Sequence, residues 1–410
     1  MATDGLVPIF NTNVGKQLIA VTALQRSTTV RIMPAMLAIA AAAAAQTAFL
    51  PLLSGLVEAP GTPQPGSHQV HLAVLGAIFP LGGMLTAPLW GALSDRGNLR
   101  AILVIAVATL ATTTALTGAT SLNALYLLRI FAGIAFGAVV PLCLLVGKQA
   151  ALDSKVRARQ FTMLTASLFL GDFAGPLLAE ASARISPQLP LLSLGIAVAG
   201  VAFALALAPA PNIHWQVEPA LVTGRQDSRI LVLTLLGLTI VGTGGLSAVH
   251  LSLVMHHPEA LPGREQIAWM LSLCGLAMLA AQAFHAKLGW LETKPARLAG
   301  GMLLLLGVAL SLFPLAQSKP MIAATVFTAG WSAASLRLIA SFWISAPRGD
   351  AGLRLGIQHG VASVGQVSVP LAMALSPSEW HRTVLWTTSL ICLVLLPAVY
   401  LVWRRTALLT

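Results

Sequence analysis

Twelve long apolar runs constrain this chain more than any single motif does. They lie near 32–57, 70–93, 101–119, 121–147, 160–183 and 189–210, and again near 229–254, 266–288, 298–316, 320–346, 355–376 and 383–403. About 20 consecutive apolar residues let a helix cross a bilayer. A backbone in lipid must satisfy its own hydrogen bonds, which a helix does internally. The runs therefore predict an all-α membrane protein of twelve transmembrane helices. Composition agrees: 57% of the 410 residues are hydrophobic and 9% are charged, against roughly 25% charged in soluble domains. A soluble enzyme, a disordered chain and a disulfide scaffold are excluded on that ground.

The runs fall into two sets of six, separated by a polar stretch that carries Pro211, His214, Trp215, Glu218, Arg225 and Asp227. The expected organisation is an N-terminal segment 1–30, a six-helix bundle 31–210, a linker 211–228 and a second six-helix bundle 229–410. A loose internal repeat supports the division. Gly171-Asp172-Phe173-Ala174-Gly175-Pro176 in span five recurs as Gly365-Gln366-Val367-Ser368-Val369-Pro370 in span eleven. Residues 1–30 contain Lys16 and Arg26 but no signal-peptide pattern, so the first run reads as a retained helix.

Charge sets the expected orientation. With the N-terminus inside, the external loops hold only Arg184, Arg264, Lys319 and Arg382, and Arg129 and Arg337 lie within helices. All other Lys and Arg fall on the inner side, which predicts both termini in the cytoplasm. The net charge of +11 follows from that bias, so no nucleic-acid partner is expected. Cys143, Cys274 and Cys392 each sit in an apolar run and match no metal or redox spacing. Neither a metal nor a cofactor is expected. No G-x-x-x-x-G-K-[ST] loop is present, which argues against ATP as the driving ligand.

The loop after span two reads Gly91-Ala92-Leu93-Ser94-Asp95-Arg96-Gly97-Asn98-Leu99-Arg100. It resembles the G-x-L-a-D-R-x-G-R-[KR] signature of the major facilitator superfamily at Gly91, Leu93, Asp95, Arg96 and Arg100. It departs at Asn98 and Leu99. The resemblance implies two pseudo-symmetric six-helix bundles and a gating loop made of Gly91, Asp95, Arg96 and Arg100. A carboxylate at such a helix end can pair with a basic side chain or with a helix N-terminus. Gly171, Gly175 and Pro176 in span five resemble the g-x-x-x-G-P-x-x-G-G pattern of proton-coupled drug antiporters, with Ala179 and Glu180 replacing the final glycines. Arg129 and Gly133 in span four resemble the R-x-x-q-G element of the same group. These likenesses imply export of a drug, siderophore or similar metabolite.

Only two of the 13 acidic residues, Asp172 and Glu180, fall within spans, and both lie on span five. A charge at the bilayer centre costs roughly 2.5–3.5 kcal/mol on insertion scales, so it persists where it has a partner or a function. Asp172 is expected to carry a proton with Arg129 as its partner, and Glu180, about 12 Å further out along the helix, is the secondary proton-coupling candidate. The expected substrate cavity is lined by Gln46, Arg129, Asp172, His250, Arg337, His359 and Gln366. The resulting expectation is a proton-coupled exporter working by alternating access on a small amphipathic molecule. A proton-coupled importer of a nutrient or organic anion is the alternative. Catalytic groups are too scattered for a membrane enzyme. A monomer in a bacterial inner membrane is expected, with protons, substrate and lipid as its partners.

Overall fold

The computed structural model describes residues 32–407 apart from 58–64, 118–120, 152, 187–188, 209–226, 257–260, 262, 289, 347–349 and 377–380. The expected segment 1–30 and most of the linker 211–228 lie outside the described residues. Everything regular in the rest is helical, and no strand occurs among the described residues. The first span is α1 (32–47) continued by α2 (Phe49–Val57). The next five are α3 (Pro65–Arg96), α4 (Leu99–Thr117), α5 (Leu122–Ala150), α6 (Ser154–Ala183) and α7 (Leu189–Leu207). The second set comprises α8 (Asp227–His256), α9 (Arg264–Leu288), the short α10 (Trp290–Thr293), α11 (Pro295–Leu312), α12 (Lys319–Ile344), α13 (Ala351–Leu375) and α14 (His381–Ala407).

Among the described residues eleven spans are long and apolar enough to cross a membrane. The exception is span eleven, α13, which has 25 residues but carries Gln358, His359, Ser363, Gln366 and Ser368. Its neighbours explain that polarity. The helix is wrapped by α3, α8 and α5, so protein rather than lipid meets Gln358, His359 and Ser363, which are buried, as expected for polar groups at membrane depth.

Within the first set α4 lies on α5 and α7, and α3 on α5; within the second, α11 lies on α12 and α14, and α9 on α12. The largest contacts between the sets are those of α3 with α13 and of α6 with α9, with α5 also against α13. The repeat is visible in packing. Gly171 seats α6 on α1 at Ala40, and Gly365 seats α13 on α8 at Ile240, each so closely that a Cβ would meet backbone. Small residues at such crossings let helices approach and gain dispersion contact, which is the main attraction between helices in lipid. Thr47 and Thr243 add side-chain bonds at the same crossings. Thr47 Oγ1 donates to Gly171 O at 3.5 Å, and Thr243 Oγ1 donates to Ala362 O at 2.8 Å.

The α6–α9–α12 contact holds a buried polar cluster. Thr165 Oγ1 donates to Gln282 Oε1 at 2.8 Å, and His285 Nε2 lies 2.7 Å from Ser335 Oγ. Gln282 Nε2 and His285 Nδ1 have no hydrogen-bond partner among the described residues, and neither amide atom of Gln160, which lies on α6 beside Gly147 of α5, has one. The cysteines are free and buried.

Candidate functional site: a chamber between the two helix sets

A cavity of about 120 Å³ lies between the two sets. Its wall draws on α1, α2, α3, α5 and α6 from one set and on α8, α9, α12 and α13 from the other. Gln46, Arg129, Asp172, His250, Arg337, His359 and Gln366 all line it. The wall is otherwise mostly apolar, with Phe79, Phe136, Phe169, Leu246 and Met278 among its side chains.

Helix geometry explains the convergence. Asp172 follows Gly171, the residue that presses α6 onto α1, so the next position is turned away from that crossing. Gln366 follows Gly365 in the same way on α13. The matched motif therefore places one polar side chain from each set into the shared space.

Charge in the chamber is unevenly partnered. Asp172 makes no ion pair within 4 Å among the described residues; the charge that acts on it is that of Arg337. Arg337 Nη2 donates to His359 Nδ1 at 3.3 Å. Because arginine has no acceptor, this bond makes His359 a neutral ring with its proton on Nε2. His250 Nε2 lies 3.4 Å from Cys274 Sγ. The expected pairing of Arg129 with Asp172 or Glu180 is not formed. The Arg129 Cζ instead sits 3.9 Å from the ring centroid of Phe49 and 4.4 Å from that of Phe79.

Glu180 lies outside the chamber. Its Oε2 accepts from Arg264 Nε at 2.6 Å, and its Oε1 is 3.7 Å from Arg184 Nε. Arg184 also pairs with Glu265 at 2.9 Å. The acid eight residues beyond Asp172 thus bridges α6 to α9 rather than sharing the chamber. Span length accounts for the difference, because Glu180 has already reached the last turn of α6, next to the first turn of α9.

The gating-loop residues occupy the opposite end. Asp95 Oδ1 and Oδ2 accept from the backbone N–H of Gly352 and Leu353, both at 2.9 Å. The carboxylate therefore caps the first turn of α13, where unpaired N–H groups and the helix dipole favour an anion. Gly91 meets the Gly352 carbonyl and Gly356 meets the Ala87 carbonyl so closely that neither position has room for a Cβ. Arg100 binds the last carbonyls of α7, donating from Nε to Leu205 O at 3.1 Å and from Nη2 to Ala206 O. Arg96 is exposed.

Phe49, Phe79, Phe136 and Arg264 were not singled out from the sequence. Phe49 carried a usable signal, since it stands three residues after Gln46 and so shares a helix face with it. Arg264 carried none, because its partner is distant in the chain.

Among the described residues no three His, Cys, Asp or Glu side chains group as a metal site. The arrangement offers a closed space, two fixed cations, one carboxylate and two seams of opposite position. That suits a molecule held midway and released to either side.

Comparison with known proteins gives the same architecture. The sequence profile of the Major Facilitator Superfamily matches residues 35–336. The crystal structure of the human organic anion transporter MFSD10 (TETRAN) is similar in fold, with a TM-score of 0.73, 18% identity, and cover of 91% of this chain and 99% of that one. With the profile spanning most of the chain, this protein belongs to the major facilitator superfamily and is a transporter, not an enzyme.

Proposed function

We infer that the chain is a proton-linked secondary transporter of a small amphipathic organic anion. One observation carries the reading: the chamber holds two guanidinium groups, Arg129 and Arg337, against a single carboxylate, Asp172. Buried charge is tolerated when balanced, and a monoanionic substrate supplies the missing negative charge. The apolar wall suits the rest of an amphipathic molecule. The name of the human neighbour, an organic anion transporter, is in keeping with this.

Two couplings follow from the site. If a proton on Asp172 leaves the positive charge of the chamber unbalanced until the substrate enters, proton and anion bind together and move together. If a hydrogen-bond donor of the substrate competes with the proton for Asp172, they exchange. The charge count favours the first. The second, export in exchange for protons, is supported by the likeness of Gly171, Gly175 and Pro176 to the antiporter pattern.

Proteoliposomes with a pH-sensitive dye sealed inside separate them, using naphthalene-1-sulfonate as a permanently charged probe. With the probe concentrated inside, its exit carries protons out and makes the lumen alkaline in co-transport. In exchange, it draws protons in and makes the lumen acidic. Asp172→Asn is expected to abolish proton movement in either case while the helices still fold. Wild-type proton movement in that variant would remove Asp172 from the mechanism.

A further inference from the structure

The two arginines of the chamber are not equivalent. Arg337 is engaged on two sides, by the bond to His359 Nδ1 and by the charge of Asp172. Arg129 makes no hydrogen bond or ion pair among the described residues, although it is only 7% exposed. Its Nε is buried without an acceptor. The rings of Phe49 and Phe79 face its Cζ. Such cation–π contacts contribute about 0.5–2 kcal/mol, less than the several kcal/mol a cation loses on leaving water. Within the protein, nothing described completes the solvation of this group.

An aromatic surface begins at the same place. Phe79 lies 5.3 Å from Phe136, centroid to centroid, and Phe136 lies 5.8 Å from the His359 ring. These rings come from α3, α5 and α13, so the surface runs from Arg129 across the chamber to the residue that holds Arg337. A flat apolar body laid against it would have its charged end at Arg129. Offset or tilted ring contacts of this kind add roughly 0.5–1.5 kcal/mol beyond area burial.

We propose that Arg129 docks the anionic head of the substrate and that the Phe79–Phe136 surface receives an aryl body, leaving Arg337, with His359 and Asp172, to respond to the proton. The substrate class is then an aryl-bearing monoanion. This assignment rests on the organic-anion reading above and gives the two arginines different tasks.

Equilibrium binding to the purified full-length protein in lipid nanodiscs tests it. Naphthalene-1-sulfonate is the anionic probe, and N-methylquinolinium, a cation of similar bicyclic size, is the control. Arg129→Lys keeps the charge and loses the planar fork, and should weaken sulfonate binding about tenfold. Phe79→Leu keeps apolar volume and loses the ring, and should weaken it about threefold. Wild-type affinity in Arg129→Lys, with loss in Arg337→Lys, would overturn the assignment and leave the organic-anion reading standing. If Arg129→Lys does not fold, Phe79→Leu decides alone, and unchanged affinity there overturns the assignment. Wild-type protein that binds only N-methylquinolinium, or neither probe, overturns the organic-anion reading with it.

Discussion

The two seams that close the chamber are built from different materials. At the Asp95 end, α3 meets α13 backbone to backbone, with Gly91 and Gly356 leaving no space and a carboxylate bound to two peptide N–H groups. At the Glu180 end, α6 meets α9 backbone to backbone only deeper in, where Gly275 abuts Phe173, and the rim is held by side chains: Arg264, Glu180, Arg184 and Glu265. The first seam depends on shape and is all or nothing, because packed backbones do not yield gradually. The rim of the second depends on charges that water and salt reach, so its strength is adjustable. A transporter with one steric and one ionic closure can be biased from the ionic side without damaging the other.

Spin labels make that contrast measurable. Exposed Arg96 and Lys287 changed to cysteine report on the Asp95 end, and exposed Ile185 and Ser318 report on the Glu180 end. The largest effect is expected for Gly356→Val, whose side chain has no room against Ala87. Overpacking of this kind costs about 1–3 kcal/mol even when neighbours shift. The Arg96–Lys287 distance should lengthen and transport should stop. Asp95→Asn comes next. It removes the charge from two hydrogen bonds, a loss of roughly 1.5–3 kcal/mol, and should shift the balance toward opening at that end at least tenfold by the same double-label measurement.

Smaller changes are expected at the other end. Glu180, whose side chain is 12% exposed, touches two arginines, so Glu180→Gln should cost about 1 kcal/mol and lengthen the Ile185–Ser318 distance. Raising salt to about 1 M, where the Debye length falls to roughly 3 Å, should mimic this at the Glu180 end and leave Arg96–Lys287 unmoved. Movement of both pairs with salt would erase the distinction between the seams. The smallest effect belongs to Arg184→Ala. Its partner Glu265 is 55% exposed, and exposed pairs contribute about 0.2–1 kcal/mol.

Much of the architecture was legible because lipid imposes it. A run of apolar residues long enough to span has few other uses, so the helices could be placed from the sequence. The one helix too polar to qualify on composition, α13, was found through the uninterrupted stretch between Arg354 and Ser376 and the motif it shares with α6. The chamber was legible for a related reason, since polar residues inside spans need a polar surrounding, and Asp172, Arg337 and His359 have it. Their partners were not legible. Arg129 and Asp172 lie at compatible depths in neighbouring spans, yet the arginine turns to Phe49 and Phe79. Depth along a helix is a one-dimensional quantity, whereas pairing also depends on rotation about the axis and on neighbours from other helices. Glu180 shows the same limit, because a span boundary uncertain by one turn decides whether a carboxylate faces a cavity or a rim.

The polar atoms shut inside the α6–α9–α12 contact have a consequence for the energy of motion. Gln282 and His285 lie toward the Asp95 end, and each keeps a nitrogen without a hydrogen-bond partner among the described residues. An unmet buried group of that sort destabilises its state by about 1–3 kcal/mol. When the halves part on that side, solvent floods the crevice and those atoms are hydrated, which offsets the contacts Asp95 surrenders. The shut form is thereby less stable than its contacts alone would make it.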